Sequence, residues 1–180
     1  YAFSRENWRR PETEVSFLFD LFLQFLRQEL PELMKEDIRL SFIGEAGDLP
    51  FAVRHALEYA MKKTADNRSM VFTLAISYAG REEILRAARL ALEKGLRPEE
   101  LTEEAFRTLL YDPALPDPDL VIRTSGEERL SNFLLFQSAY AELYFSPVLW
   151  PDFGPEELKK ALTSYAGRVR RFGRTDEQLR

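Results

Sequence analysis

The 180-residue sequence predicts an α/β domain, a mostly parallel central sheet flanked by helices. Three observations carry that expectation. Short apolar strands alternate with helical segments, the pattern of right-handed strand–helix–strand crossovers. Leu120, Val121 and Ile122 form an unbroken apolar run, as expected of a parallel strand covered on both faces. Arg123 follows directly, at the carboxyl end of that strand, where open α/β sheets place their ligands.

Each element has its own signal. Tyr1-Ala2-Phe3 reads as the end of a buried strand whose start lies outside the sequence, so the chain is expected to be the C-terminal part of a longer one: a single domain over 1–180, incomplete at its N-terminus. Pro11 suits a first helical position, and Glu12 and Glu14 suit the positive end of a helix running to about Leu30. Ile38–Ile43, stopped by Gly44, predicts a strand; Pro50 to about Thr64 predicts a helix, and Asp66-Asn67-Arg68 a turn. Met70–Ile76 alternates and is rich in β-formers. Gly80 to about Lys94 is helical, with Ile84, Leu85, Ala88 and Leu92 on one stripe, and Thr102 caps a short helix through Leu110. A proline-bearing loop, Asp112–Pro118, leads into the strand ending at Arg123. Phe133–Ala141 is expected as a short buried helix and Leu143–Phe145 as a last strand. Asp152 reads as structural, a cap for a final helix from Pro155 to about Arg170, and the tail after Gly173 is polar.

Composition narrows the function classes. A net charge of −5 argues against a dedicated nucleic-acid binder. With no cysteine there can be no disulfide, zinc–thiolate site or iron–sulfur cluster, which fits a reducing cytosol. No apolar run has the length of a membrane span. The single histidine, His55, stands in alternating charged surroundings and is expected on a helix surface or boundary.

Two polar clusters stand out. Arg123, Arg129 and Ser131, with Gly126 to turn the backbone, would suit a phosphate or diphosphate, because guanidinium forks pair bidentately with its oxygens. Equally, those arginines could simply pair with Glu127, Glu128 or another carboxylate. Ser4-Arg5-Glu6-Asn7-Trp8-Arg9-Arg10-Pro11 follows the first strand at the same sheet edge. Taken singly, Trp8 would be a core plug, Asn7 a cap and the arginines solvated; two arginine-rich loops facing each other across one edge weaken that account. Between them, Val15, Leu18, Phe19, Phe22, Phe25 and Leu26 form an apolar helix face, with Phe17, Leu21 and Leu23 off it. Such a helix is either buried on several sides or one wall of a cavity for a long apolar ligand.

The segments Tyr1–Pro11, Arg123–Asn132, Ala139–Phe145 and Leu149-Trp-Pro-Asp-Phe153, in this order and spacing, closely resemble the cis-prenyltransferases, within them the bacterial undecaprenyl diphosphate synthases. The resemblance extends through Arg171-Phe-Gly173. It implies the cis-prenyltransferase fold with its apolar tunnel, not the all-α trans-prenyltransferase fold. It also implies addition of isopentenyl diphosphate units in cis to an allylic diphosphate such as farnesyl diphosphate, giving a long polyprenyl diphosphate of the undecaprenyl type, the lipid carrier of cell-wall synthesis.

By that resemblance Arg123, Arg129 and Ser131, on a loop that includes Leu130, would hold the diphosphate of isopentenyl diphosphate, with Glu127 behind the arginines. Glu142 would be a ligand of Mg2+, and Asn7 would assist proton removal. Ser4, Arg5, Glu6, Trp8 and Arg10 would shape the substrate site. Arg171 and Gly173 match the tail by which one subunit of a homodimer completes its partner's site, and Met70 matches the bottom of the tunnel. A cytoplasmic protein with transient contact at the membrane surface is implied, and no nucleic-acid partner. The family's N-terminal segment carries a glycine-containing loop with a magnesium-binding aspartate, and nothing here resembles Met-Asp-Gly-Asn-Gly-Arg-Trp-Ala. These 180 residues alone are therefore expected not to catalyse. Two alternatives stand beside this: a non-catalytic subunit of a heteromeric cis-prenyltransferase, against which the retained Arg123, Arg129 and Ser131 argue, and an α/β domain that binds a phosphate ester.

Overall fold

The computed structural model describes residues 1–168. They fall into two compact units, one covering Tyr1–Pro113 and one beginning at Ala114. In the first, β1 (Phe3–Ser4), β2 (Ile38–Ile43) and β3 (Met70–Tyr78) form a parallel sheet in the order β1-β3-β2. The helices are α1 (Glu12–Lys35), α2 (Phe51–Lys63), α3 (Gly80–Glu93) and α4 (Glu103–Arg107). In the second unit β4 (Leu120–Arg123) pairs in parallel with β5 (Glu142–Phe145), and α5 (Pro155–Ala166) follows. Every described strand pair is parallel, as the apolar runs and intervening helices require.

The core of the first unit lies where α1 and α2 cover the sheet. Val15, Phe19 and Leu26 of α1 meet Val53, Leu57 and Ala60 of α2 over Phe3, Leu40 and Ile76. Burying each large side chain contributes about 1.5–3 kcal/mol. Only this side of α1 is covered among the described residues. Phe25, expected on the buried face, is 51% exposed and Phe17 63% exposed, whereas Leu23 packs against the core.

Polar side chains close the far ends of these elements. The Asn67 amide donates to the carbonyls of Leu33 and Ile38, and the Ser69 hydroxyl lies within bonding distance of those of Glu36 and Asp37. Fully buried Thr64 accepts from the Leu40 N–H and donates to the Ala60 carbonyl, tying α2 to β2.

Several boundaries differ from expectation. Helix α1 runs through Pro31 to Lys35, because a proline forfeits one backbone bond while Leu33 beyond it still packs on the core. Strand β3 continues to Tyr78, since Ser4 of β1 pairs there. The inward stripe of α3 is Gly80, Glu83, Ala87 and Ala91, while Leu85 and Leu92 are exposed. Glu83 can sit inside because its carboxylate accepts from the Tyr78 hydroxyl at 2.6 Å and the Tyr111 N–H at 3.1 Å. Thr102 does cap α4, accepting from the Ala105 N–H, but the helix ends at Arg107 and only turns continue to Leu110.

The segment 133–141 is a series of turns, not a helix. Ser131, Asn132 and Leu134 have positive φ, which no right-handed helix accommodates. Helix α5 stops at Ala166 and its N-cap is Gly154; Asp152 instead closes the turn before it. Arg171, Gly173 and the tail lie outside the described residues.

Burial and the nearby Glu45 carboxylate raise the Tyr111 phenol above its ordinary value of 10.0. A neutral form favoured by folding stabilises fully below that value, and the contribution is lost as pH rises through the folded pKa. Unfolding by urea across this range is expected to show a shallower alkaline loss of stability in Tyr111→Phe than in wild type; identical slopes would remove Tyr111 as the cause.

Candidate functional site

The carboxyl ends of β1, β2 and β3 meet at one edge of the first unit. Ser4 ends β1 and starts a single 3-10 turn over Arg5–Arg9. The Asn7 side-chain oxygen accepts from the Ser4 N–H at 2.8 Å, which leaves the Asn7 amide nitrogen as the group available to a ligand. Trp8 comes next. Its ring lies 5.2 Å from Phe3 and 5.3 Å from Phe19, and its indole N–H donates to the Ser77 hydroxyl at 2.9 Å.

Ser77 is 1% exposed and has φ of 48°, a left-handed conformation that costs a non-glycine residue about 1–2 kcal/mol. Its hydroxyl donates to Asp48 Oδ2 at 2.8 Å. Asp48 comes from the loop after β2, and Gly44 lets that loop approach. A Cβ on Gly44 would lie 2.0 Å from the Ile76 carbonyl oxygen, and the φ of +131° is itself closed to ordinary side chains. The Glu45 N–H then donates to the Ser77 carbonyl at 3.2 Å. Sequence pattern gave no sign of Asp48 or Ser77, because a serine inside a β-rich run carries no mark of positive φ.

The arginines of this cluster are held loosely. Arg5 stands 3.8 Å from both Asp48 and Glu82, and Arg10 pairs with Glu14 at 2.8 Å, all half exposed and individually weak. Trp8, Arg10, Val15, Phe19, Leu23 and Val53 line a cavity of about 420 Å³ between the Trp8 turn, α1 and α2. Its lining is apolar at Val15, Phe19, Leu23 and Val53 and charged at Arg10, Glu12 and Asp20. Glu6 is exposed, as are His55, beside Phe51 on α2, and Met70, 52% exposed where β3 begins.

In the second unit Arg123 ends β4, half-buried, with its carbonyl accepting from the Ser146 N–H. The loop beyond it is held by the N–H groups of Ser125 and Gly126, which donate to the carbonyls of Val148 and Ser146. Arg129 forms an ion pair with Glu127 and remains 63% exposed. Leu130 and Ser131 follow, with Ser131 and Asn132 both at positive φ. Glu142, at the start of β5, pairs through Oε2 with Arg168 at 2.7 Å. Among the described residues no three His, Asp or Glu side chains are grouped for a metal ion.

The comparisons with known proteins bear on this geometry. Residues 1–173 match the family model described as "Putative undecaprenyl diphosphate synthase". The chain belongs to this prenyltransferase family. It is 50% identical to the isoprenyl transferase of Heliobacterium mobile over 177 residues, covering 96% of this chain and 68% of that protein. It is 48% identical to the isoprenyl transferase of Geobacter sulfurreducens over 183 residues, covering 99% of this chain and 74% of that protein. Among solved structures, lavandulyl diphosphate synthase from Lavandula x intermedia, in complex with dimethylallyl diphosphate, superposes with a TM-score of 0.91 at 42% identity, over 96% of this chain and 76% of that one. A probable undecaprenyl diphosphate synthase from Campylobacter jejuni gives 0.87 at 40% identity, over 96% and 81%. The fold is therefore that of the cis-prenyltransferases, as the motifs implied. No described helix is long and apolar enough to cross a membrane.

Gly44→Ala is expected to cost about 3 kcal/mol or more, from the clash with the Ile76 carbonyl added to an unfavourable φ. Urea denaturation checks this, and a loss below about 1 kcal/mol would mean that the β2 loop is not held as described.

Proposed function

We propose that the protein extends an allylic diphosphate such as farnesyl diphosphate with isopentenyl diphosphate, each new double bond being cis, to give a long polyprenyl diphosphate. The observation that carries this reading is the cluster of Ser4, Asn7 and Trp8 at the carboxyl end of β1, in a chain that belongs to a prenyltransferase family. Arg123, Arg129 and Ser131 hold the diphosphate of isopentenyl diphosphate. Guanidiniums suit this task because they remain charged and match phosphate oxygens two at a time. Glu127 restrains Arg129 through its ion pair.

Asn7 acts as a hydrogen-bond donor. Its oxygen already accepts from Ser4, and a carboxamide is too weak a base to keep a proton. It therefore orients the isopentenyl unit while the proton lost from that unit passes to a stronger acceptor, such as a diphosphate oxygen. Trp8 excludes water from this edge, and Arg10 lends the cavity lining a cation. The apolar wall formed by Val15, Phe19, Leu23 and Val53 receives the growing hydrocarbon.

Glu142 offers one carboxylate, and its Oε1 is not engaged by Arg168. That donor set fits Mg2+ held mainly through substrate diphosphate oxygens. When bound, the ion would neutralise the charge that develops on the departing diphosphate. Arg171 and Gly173 belong to the same proposal, as the tail by which one subunit of a homodimer completes the other's site. So do transient membrane-surface contact by the lipid-making protein and its cytoplasmic location.

Arg129→Ala in the full-length protein is expected to weaken isopentenyl diphosphate binding at least about tenfold by calorimetry, the loss of one charge-assisted pair. Unchanged affinity would refute the assignment. Glu142→Gln is expected to raise the Mg2+ concentration for half-maximal turnover about tenfold; an unchanged requirement would place the ion elsewhere.

A further inference from the structure

We infer that Ser77 and Asp48 are positioning residues for the Asn7–Trp8 turn, forming a relay that runs from buried Ser77 to exposed Asp48 and holds the turn carrying the Asn7 amide; this rests on the role proposed for Asn7. The polarity of the relay is forced by chemistry. An indole N–H can only donate and a carboxylate can only accept. The Ser77 hydroxyl between them must therefore accept from Trp8 at 2.9 Å and donate to Asp48 at 2.8 Å. Donation to a carboxylate polarises the hydroxyl oxygen and makes it a better acceptor for the indole.

The relay starts from three different strand ends. Trp8 follows β1, Asp48 follows β2, and Ser77 lies within the last turn of pairing in β3. Ring contacts with Phe3 and Phe19 fix where the Trp8 plane lies, but an indole in an apolar slot can still flip or slide. The single polar anchor at Nε1 removes that freedom. Asn7 is the adjacent residue in a tight 3-10 turn and its oxygen accepts from the Ser4 N–H, so anchoring Trp8 holds the backbone of the turn from which that amide projects. Holding a catalytic donor within a narrow range of angles chiefly raises turnover, not ground-state affinity.

Backbone strain offers an independent sign. Ser77 keeps φ of 48° although glycine or asparagine would adopt that conformation more readily. Glycine would abolish the relay. Asparagine would keep it, since its oxygen can accept from Trp8 while its nitrogen donates to Asp48.

The test uses the full-length protein, with the Trp8 indole N–H resonance assigned as the one that disappears in Trp8→Phe. Ser77→Gly and Ser77→Ala should shift the Trp8 indole N–H resonance upfield and speed its exchange with solvent. Both should lower kcat about tenfold, the equivalent of one lost hydrogen bond, with KM for either diphosphate changed less than about threefold. Asp48→Ala should do the same, and Ser77→Asn should restore both resonance and kcat. Because Ser77→Gly relieves the strained backbone, which offsets part of the lost hydrogen bonding, it should be more stable than Ser77→Ala, and an equal kcat loss in the two separates positioning from stability. An unmoved resonance with kcat within about twofold, while Asn7→Ala loses turnover, would overturn the relay and leave the proposed function standing. Full turnover by Asn7→Ala would overturn both.

Discussion

A single buried hydroxyl, that of Ser77, ties together the ends of three parallel strands. It takes the Trp8 indole N–H on one side and gives its proton to Asp48 on the other. The Trp8 ring in turn seals Phe3 and Phe19, so the polar edge and the apolar core share one boundary residue. None of this is possible without Gly44. Its missing side chain lets the β2 loop come against the Ile76 carbonyl and deliver Asp48. A steric allowance at one backbone position thus sets the geometry of a polar edge built from distant segments.

The same economy runs through the rest of the first unit. Thr64, Asn67 and Ser69 satisfy backbone groups at the opposite end of the sheet. Buried Glu83 is supplied with donors from Tyr78 and Tyr111. Polar groups inside are thus committed to partners, whereas at the carboxyl edge the Asn7 amide nitrogen is left to meet a ligand. In the second unit, Arg129 is restrained by Glu127 and still well exposed, which suits the diphosphate contact proposed for it.

Much of this was legible in the sequence, for physical reasons. Ile38–Ile43 showed itself because an apolar run stopped at glycine, and the Leu120–Arg123 strand because three apolar residues ran into an arginine. The Ser4–Pro11 cluster and Arg123–Ser131 loop were visible as dense polar chemistry after strands. What the sequence hid depends on conformation or on partners far along the chain. Leu85 and Leu92 were more apolar than Ala87 and Ala91, yet the small residues face inward. The apolar look of 133–141 concealed the positive φ of Leu134, which a right-handed helix does not accommodate. Asp48 and Ser77 are ordinary loop and strand residues until folding places them 2.8 Å apart.

The central claim is that this edge carries out cis-prenyl transfer, and product stereochemistry tests it most directly. The full-length protein would be supplied with farnesyl diphosphate, isopentenyl diphosphate and Mg2+, and the new double bonds of the product assigned by NMR. Chain extension with every added bond cis is the expected result. Added bonds that are trans, or no extension at all from any allylic diphosphate, would contradict it.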